Sequence, residues 1–98
     1  MFELHQLEQL IAVAKCGTLS RAAEELHISQ PALSRSMQKL ESELQVELFL
    51  RSKNKIELND NGRLTVEYAR KVMGQAKDMM EQVRSYDRNQ RTIFIGSC

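Results

Sequence analysis

Tryptophan is absent from this 98-residue chain, and there are only two cysteines, one proline and four glycines. Each scarcity excludes something. Cys16 falls within a helical pattern and Cys98 closes the sequence. So distant a pair makes neither a disulfide framework nor a spaced metal site, which suits a reducing cytosol and leads us to expect a cytoplasmic protein without metal or other cofactor. The glycines are scattered, so no phosphate-cradling loop is present. No nucleophile–base pairing and no carboxylate pair stands out, and we read no enzyme. No stretch approaches the ~18 apolar residues that cross a bilayer. The N-terminus, Met1-Phe2-Glu3-Leu4-His5, lacks a basic region followed by an apolar run, so no signal peptide and no membrane partner are expected. The length fits one small domain plus an appendage.

What is present is helical. Leu4, Leu7, Leu10, Ile11 and Ala14 recur at three- and four-residue spacing and predict an amphipathic helix over about residues 4–15, ended near Gly17. Thr18 or Ser20 can cap a second helix reaching about Leu26. His27-Ile28 make a turn, Ser29 caps a third helix, and Pro31 is tolerated in its first turn, where backbone N–H groups have no helical partner. Leu33, Met37, Leu40 and Leu44 mark the buried stripe of this third helix. A short helix with two alanines, a tight turn and a helix opening on polar residues is the pattern of a helix-turn-helix, which implies a reader of double-stranded DNA.

Beyond Val46 the period shortens. Leu48-Phe49-Leu50 and Lys55-Ile56-Glu57-Leu58 flank Ser52-Lys53-Asn54 and predict a short hairpin with a basic tip, a wing. Asn59 then caps a long helix over about residues 60–88, with Asp60 near its positive end. On it, Ala69, Val72, Ala76, Met79, Val83 and Tyr86 alternate at spacings of three and four, with Met73 and Met80 widening the stripe. This is a coiled-coil seam. A helix of that length spans roughly 43 Å, more than a small domain can cover, so the seam implies a second copy of the chain. Only the part near Leu64 and Tyr68 is expected to pack on the first three helices. Thr92 to Ile95 is an apolar, β-prone run that reads as a buried-type strand just inside a second domain, the alternatives being an edge strand or a frayed tail. The expected organisation is mainly α: a winged helix-turn-helix of three helices and a hairpin (1–58), a dimerisation helix (59–89), and a hinge with the start of a truncated second domain (90–98).

Taken together, Ala22, Ala23, Leu26, Ile28, Ser29, Gln30, Pro31, Ala32, Leu33, Ser34, Leu40, Glu41, Leu44, Leu48, Phe49 and Arg51 resemble the N-terminal signature of LysR-type bacterial transcriptional regulators. The resemblance covers essentially the whole chain. It implies a winged helix-turn-helix, a linker helix that pairs two subunits antiparallel, and a two-lobed effector-binding domain that would follow in an intact protein. A small-molecule effector is therefore a partner only through that missing domain, and a higher oligomer is open to an intact protein. At two positions the chain departs from the pattern. Where the family usually has glycine after the recognition helix, this chain has Gln45, which costs roughly 1 kcal/mol in a left-handed cap or forces another exit. Where the family usually has threonine after the wing, it has Asn59, an equally good cap.

With Leu33, Met37, Leu40 and Leu44 turned inward, the opposite face of the third helix holds Pro31, Arg35, Gln38 and Ser42, with Ser34 and Lys39 at its sides. Gln30, Pro31, Ser34, Arg35 and Gln38 are the expected base-reading residues. Arginine can donate twice to guanine and glutamine can pair with adenine, while Pro31 offers an apolar surface to a thymine methyl. For Arg35 a phosphate contact or a solvated charge remain alternatives. Ser20, Arg21, Ser29, Lys39, Arg51, Ser52 and Lys53 are expected at the DNA backbone, with helix capping the alternative role for Ser29 and a structural ion pair the alternative for Arg51. The formal net charge is only +1, so few phosphates can be neutralised at once and non-specific affinity should be modest. The competing reading is a coiled-coil interaction module on a structural three-helix support.

Overall fold

The computed structural model describes residues 1–51 and 56–97. The elements run α1 (Leu4–Cys16), α2 (Leu19–Leu26), α3 (Gln30–Leu44), β1 (Phe49–Arg51), β2 (Ile56–Leu58) and α4 (Asp60–Ser97). The two strands pair antiparallel, with Phe49 opposite Leu58 and Leu50 opposite Glu57. Three short helices and a hairpin thus form a winged helix-turn-helix head, from which one 38-residue helix projects. At 1.5 Å per residue that helix is about 57 Å long. The molecule measures 68 × 26 × 20 Å, so most of α4 overhangs the head.

The helix ends follow from local chemistry. Gly17 takes a left-handed conformation (φ 82°) and donates its N–H to the Val13 carbonyl, which closes α1. The Thr18 hydroxyl accepts from the Arg21 N–H and opens α2. The Ser29 hydroxyl accepts from the Ala32 N–H and opens α3, with Pro31 in the first turn. Side-chain acceptors at these positions satisfy donors that have no intrahelical partner. Two non-glycine residues then adopt left-handed caps, His27 (φ 59°) after α2 and Gln45 (φ 61°) after α3. The Gln45 N–H reaches the Glu41 and Ser42 carbonyls, and Val46 N–H also returns to Glu41. Gln45 therefore keeps the exit that glycine favours rather than forcing another.

The core is built from one face of each helix. Leu7, Leu10 and Val13 of α1 meet Ala22 and Ala23 of α2, Leu33, Met37 and Leu40 of α3, and Leu48 and Phe49 at the hairpin. The two alanines let α2 approach closely. Fully burying each leucine contributes about 1.5–3 kcal/mol. Ser36 donates to Gln9 Oε1 and adds a polar tie between α3 and α1.

Three expectations are corrected. Val66 and Ala69, with Met73 at the margin, are the residues of α4 that join this core, whereas Leu64 and Tyr68 are exposed. Ala69 is 1% exposed within the single chain, so it belongs to the core and not to a seam between chains. Met73 likewise packs on its own head. The reason is geometric: Gly62, Val66, Ala69 and Met73 fall on one helix face, and Gly62 brings that face close to the hairpin. Finally, Thr92–Ile95 continue α4 rather than forming a strand. An isolated strand leaves its backbone groups unpaired, while a helix satisfies them internally.

Replacing Gln45 with glycine is expected to raise stability by about 1 kcal/mol, because it removes the left-handed penalty without changing the cap. An unchanged or lower urea midpoint would show that the glutamine side chain contributes more than it costs.

Candidate nucleic-acid interface

The turn between α2 and α3 sets the interface. With Leu33, Met37 and Leu40 buried, Gln30, Pro31, Arg35, Gln38 and Lys39 lie exposed on the outer face of α3, and Ser34 is half-buried beside them. Ser20 and Arg21 open α2 next to the start of α3, and both are exposed, as is Ser29. The Ser20 hydroxyl donates to Gln30 Oε1 at 3.3 Å, which ties the two helix starts together and leaves the Gln30 amide N–H groups for an outside acceptor. Arg35 Nε donates to the Pro31 carbonyl at 3.4 Å, so the guanidinium lies back along α3 toward its N-terminus. Arg35 forms no ion pair among the described residues. Its charge and two amide side chains are thus displayed on one helix face, beside a helix N-terminus that favours anions.

Of the expected wing residues, Arg51 ends β1, and Ser52 and Lys53 lie outside the described residues. The expected seam residues fall in two groups. Val72, Met79, Met80, Val83 and Tyr86 are exposed, the last three of the stripe proper (Met79, Val83, Tyr86) by 60% or more. Ala76 is half-buried between them and the head-facing side. Tyr68 extends the stripe toward the head, with the Lys71 ammonium 5.1 Å from its ring centre. Among the described residues no group of His, Cys, Asp or Glu is placed to hold a metal. No described helix is long and apolar enough to cross a membrane.

The acidic side chains of α2 are partly drawn away from this face. Glu25 accepts from the Cys16 thiol at 2.7 Å and lies 3.5 Å from the Lys15 ammonium, both on α1. The hydrogen bond from the thiol, then the charge of Lys15, hold the Glu25 carboxyl below the usual carboxylate range. The same bond, with some desolvation, pushes the Cys16 thiol up. The lowered Glu25 value adds stability that is present above the ordinary carboxylate range and fades as pH falls through the lowered one. The raised Cys16 value adds stability that is present below the ordinary thiol range and fades as pH rises through the raised one. Both therefore act at neutral pH.

Sequence reasoning missed a cluster at the base of the wing. Glu41 Oε2 accepts from the Leu48 N–H at 2.8 Å. The Asn59 and Asn61 side-chain amides both donate to the Glu47 carbonyl, at 2.9 and 3.2 Å. The Asn59 N–H donates to the Leu48 carbonyl at 2.9 Å, and Asn59 Oδ1 caps Gly62 at 2.8 Å. The expected cap at Asn59 is thus present, and it has a second role. The signal was the run Asn59-Asp60-Asn61-Gly62, where two side-chain amides and a glycine open a helix that needs only one cap.

A head in which α2, a tight turn and an exposed α3 are buttressed by a hairpin defines the class: a winged helix-turn-helix. The model of the bacterial regulatory helix-turn-helix proteins of the LysR family matches residues 4–63. The chain belongs to that family. It is 38% identical over 92 residues to a probable cat1 operon transcriptional activator of Acinetobacter lwoffii, covering 94% of this chain and 30% of that protein. It superposes on the crystal structure of the CbnR_DBD–DNA complex with a TM-score of 0.82 and 40% identity, over 86% of this chain and 97% of that one. For the BenM_DBD/catB site 1 DNA complex the TM-score is 0.85 at 29% identity, over 91% and 96% of the two chains. The chain spans about 30% of the length of the curated relatives it matches.

Replacing Glu25 with alanine is expected to speed alkylation of Cys16 at pH 8, because the thiol loses the carboxylate that holds its proton. Peptide mass mapping separates Cys16 from Cys98; an unchanged Cys16 rate would remove the hydrogen bond as the cause.

Proposed function

We propose that this chain is the DNA-reading part of a bacterial transcriptional regulator and binds duplex DNA in a sequence-specific way as a homodimer. One observation carries the reading: α3 presents Gln30, Arg35 and Gln38 together on a face that the rest of the head leaves exposed. In a major groove the N-terminal half of such a helix meets base edges first. Arg35 reads a guanine through its two terminal N–H groups, Gln30 and Gln38 read adenines, Ser34 reaches a neighbouring base, and Pro31 meets a thymine methyl. Ser20, Arg21, Ser29 and Lys39 contact phosphates and fix the register. Arg51, Ser52 and Lys53 lie along the adjacent backbone as the wing. That the related CbnR_DBD and BenM_DBD were crystallised with DNA supports this reading.

Dimerisation follows from the second face of α4. Val72, Met79, Val83 and Tyr86 form a continuous apolar stripe, with Ala76 and Met80 on its flank. It lies roughly 100° around the helix from the core-facing residues at 100° per residue. A stripe of that length, exposed in one chain, is covered by a second copy. The same stripe would suit a plain interaction module, but such a module has no use for the polar face of α3. The protein acts in the cytoplasm, as a regulator rather than an enzyme. Residues 90–98 are the approach to an effector-binding domain, through which any small-molecule effector acts.

Replacing Arg35 with alanine is expected to weaken binding to the preferred duplex by about 1–3 kcal/mol and to relax the preference at one base position. This is measured on duplexes selected from a random pool, at two salt concentrations; an equal loss on every sequence would make Arg35 a phosphate contact. Replacing Met79 with glutamate should turn dimers into monomers in sedimentation. Dimers that persist at the wild-type concentration would place the interface elsewhere.

A further inference from the structure

We infer that Glu41, Asn59, Asn61 and Gly62 form a fixed joint around Glu47-Leu48, and that this joint determines the half-site spacing accepted by the dimer. The inference rests on the DNA-reading dimer proposed above. Leu48 is fully buried and both of its peptide groups are held from opposite sides. Its N–H is bound by the carboxylate of Glu41, on the last turns of α3. Its carbonyl accepts from the backbone of Asn59, at the start of α4. The preceding carbonyl, of Glu47, takes both asparagine amides. Gly62 closes the joint: a Cβ there would stand 2.2 Å from the Leu48 carbonyl oxygen and 2.7 Å from Leu58 Cδ2. The first turn of α4 therefore sits flush on the peptide that the recognition helix holds.

The consequence lies in leverage. The head reads DNA through α3, and the partner is met on α4 beyond Val72. The joint fixes the start of α4, and beyond it Val66, Ala69 and Met73 seat the helix on the core and along α1. A tilt of roughly 10° at the joint moves a point 20 Å along α4 by roughly 3.5 Å, about the rise of one base pair. A dimer that holds two recognition helices at a fixed separation must control that angle. The four residues are positioning residues: they act through α3 and need touch no base.

Two variants test the joint. Gly62→Ala forces α4 off the Leu48 carbonyl. Asn59→Asp combined with Asn61→Ala keeps the helix cap, since aspartate still accepts from the Gly62 N–H, but removes both donors to the Glu47 carbonyl. Each is measured as a dimer, with helicity and sedimentation checked. The duplexes carry two half-sites whose separation changes one base pair at a time, and a further duplex carries a single half-site. The wild type should favour one spacing over its neighbours by about tenfold. Both variants should keep single half-site affinity within about threefold. Gly62→Ala should move the optimum by at least one base pair, and the double variant should reduce the preference to about threefold or less. Variants that keep the wild-type optimum and ratio overturn the joint, as does a wild type indifferent to spacing. If Gly62→Ala does not fold, the double variant decides alone. A wild type that binds no duplex specifically overturns the DNA-reading function itself, a result distinct from specific binding with no spacing effect.

Discussion

The peptide at Leu48 is the point on which the rest of the architecture depends. Its side chain fills the core beneath α1 and α3, while its N–H and carbonyl are bound by α3 and by the start of α4. A buried backbone group without a partner costs about as much as a lost hydrogen bond, so the chain cannot leave α3 or enter α4 freely. The hairpin, the exit of the recognition helix and the direction of the long helix all meet at this residue. Gln45 shows how firm the arrangement is, since it accepts a left-handed backbone conformation to deliver the chain there.

The long helix serves two faces with one sequence. Near its start, Gly62, Val66 and Ala69 close the head. About a quarter-turn away, the apolar stripe from Tyr68 to Tyr86 faces outward. A helix that finishes one core and begins another interface transmits position between them, because its internal hydrogen bonds make it stiff. This gives a physical basis for reading two half-sites at a set distance. It also explains why the exposed face of α3 can stay polar: nothing in the fold requires it to pack.

Much of the head was legible in the sequence. The apolar spacings of α1 and α3, the caps at Thr18, Ser29 and Asn59, and the stop at Gly17 are local effects, and local chemistry reports them directly. The exposed face of α3 was legible for the same reason, being the complement of a buried stripe. The division of α4 was not. Ala69 and Val72 both fit a seam of threes and fours, and only the packing of α4 against α1 and the hairpin puts Ala69 in the core and leaves Val72 outward. The β-prone run at Thr92–Ile95 misled because strand propensity reflects neighbours, and among the described residues no strand pairs with it.

The amino-acid sequence by itself determined the elements of this protein and which side of each short helix is buried, because capping and periodicity act within a few residues. It also determined the family, through a signature of residues at fixed offsets. Only the tertiary structure decided how α4 is shared between the head and its outer stripe, and which residues hold the two together. Glu41, Leu48, Asn59 and Gly62 span residues 41–62 and lie on α3, the hairpin entry, the loop after β2 and α4. Their hydrogen bonds and close approach exist only once α3, the hairpin and α4 have met, and no local pattern encodes that meeting.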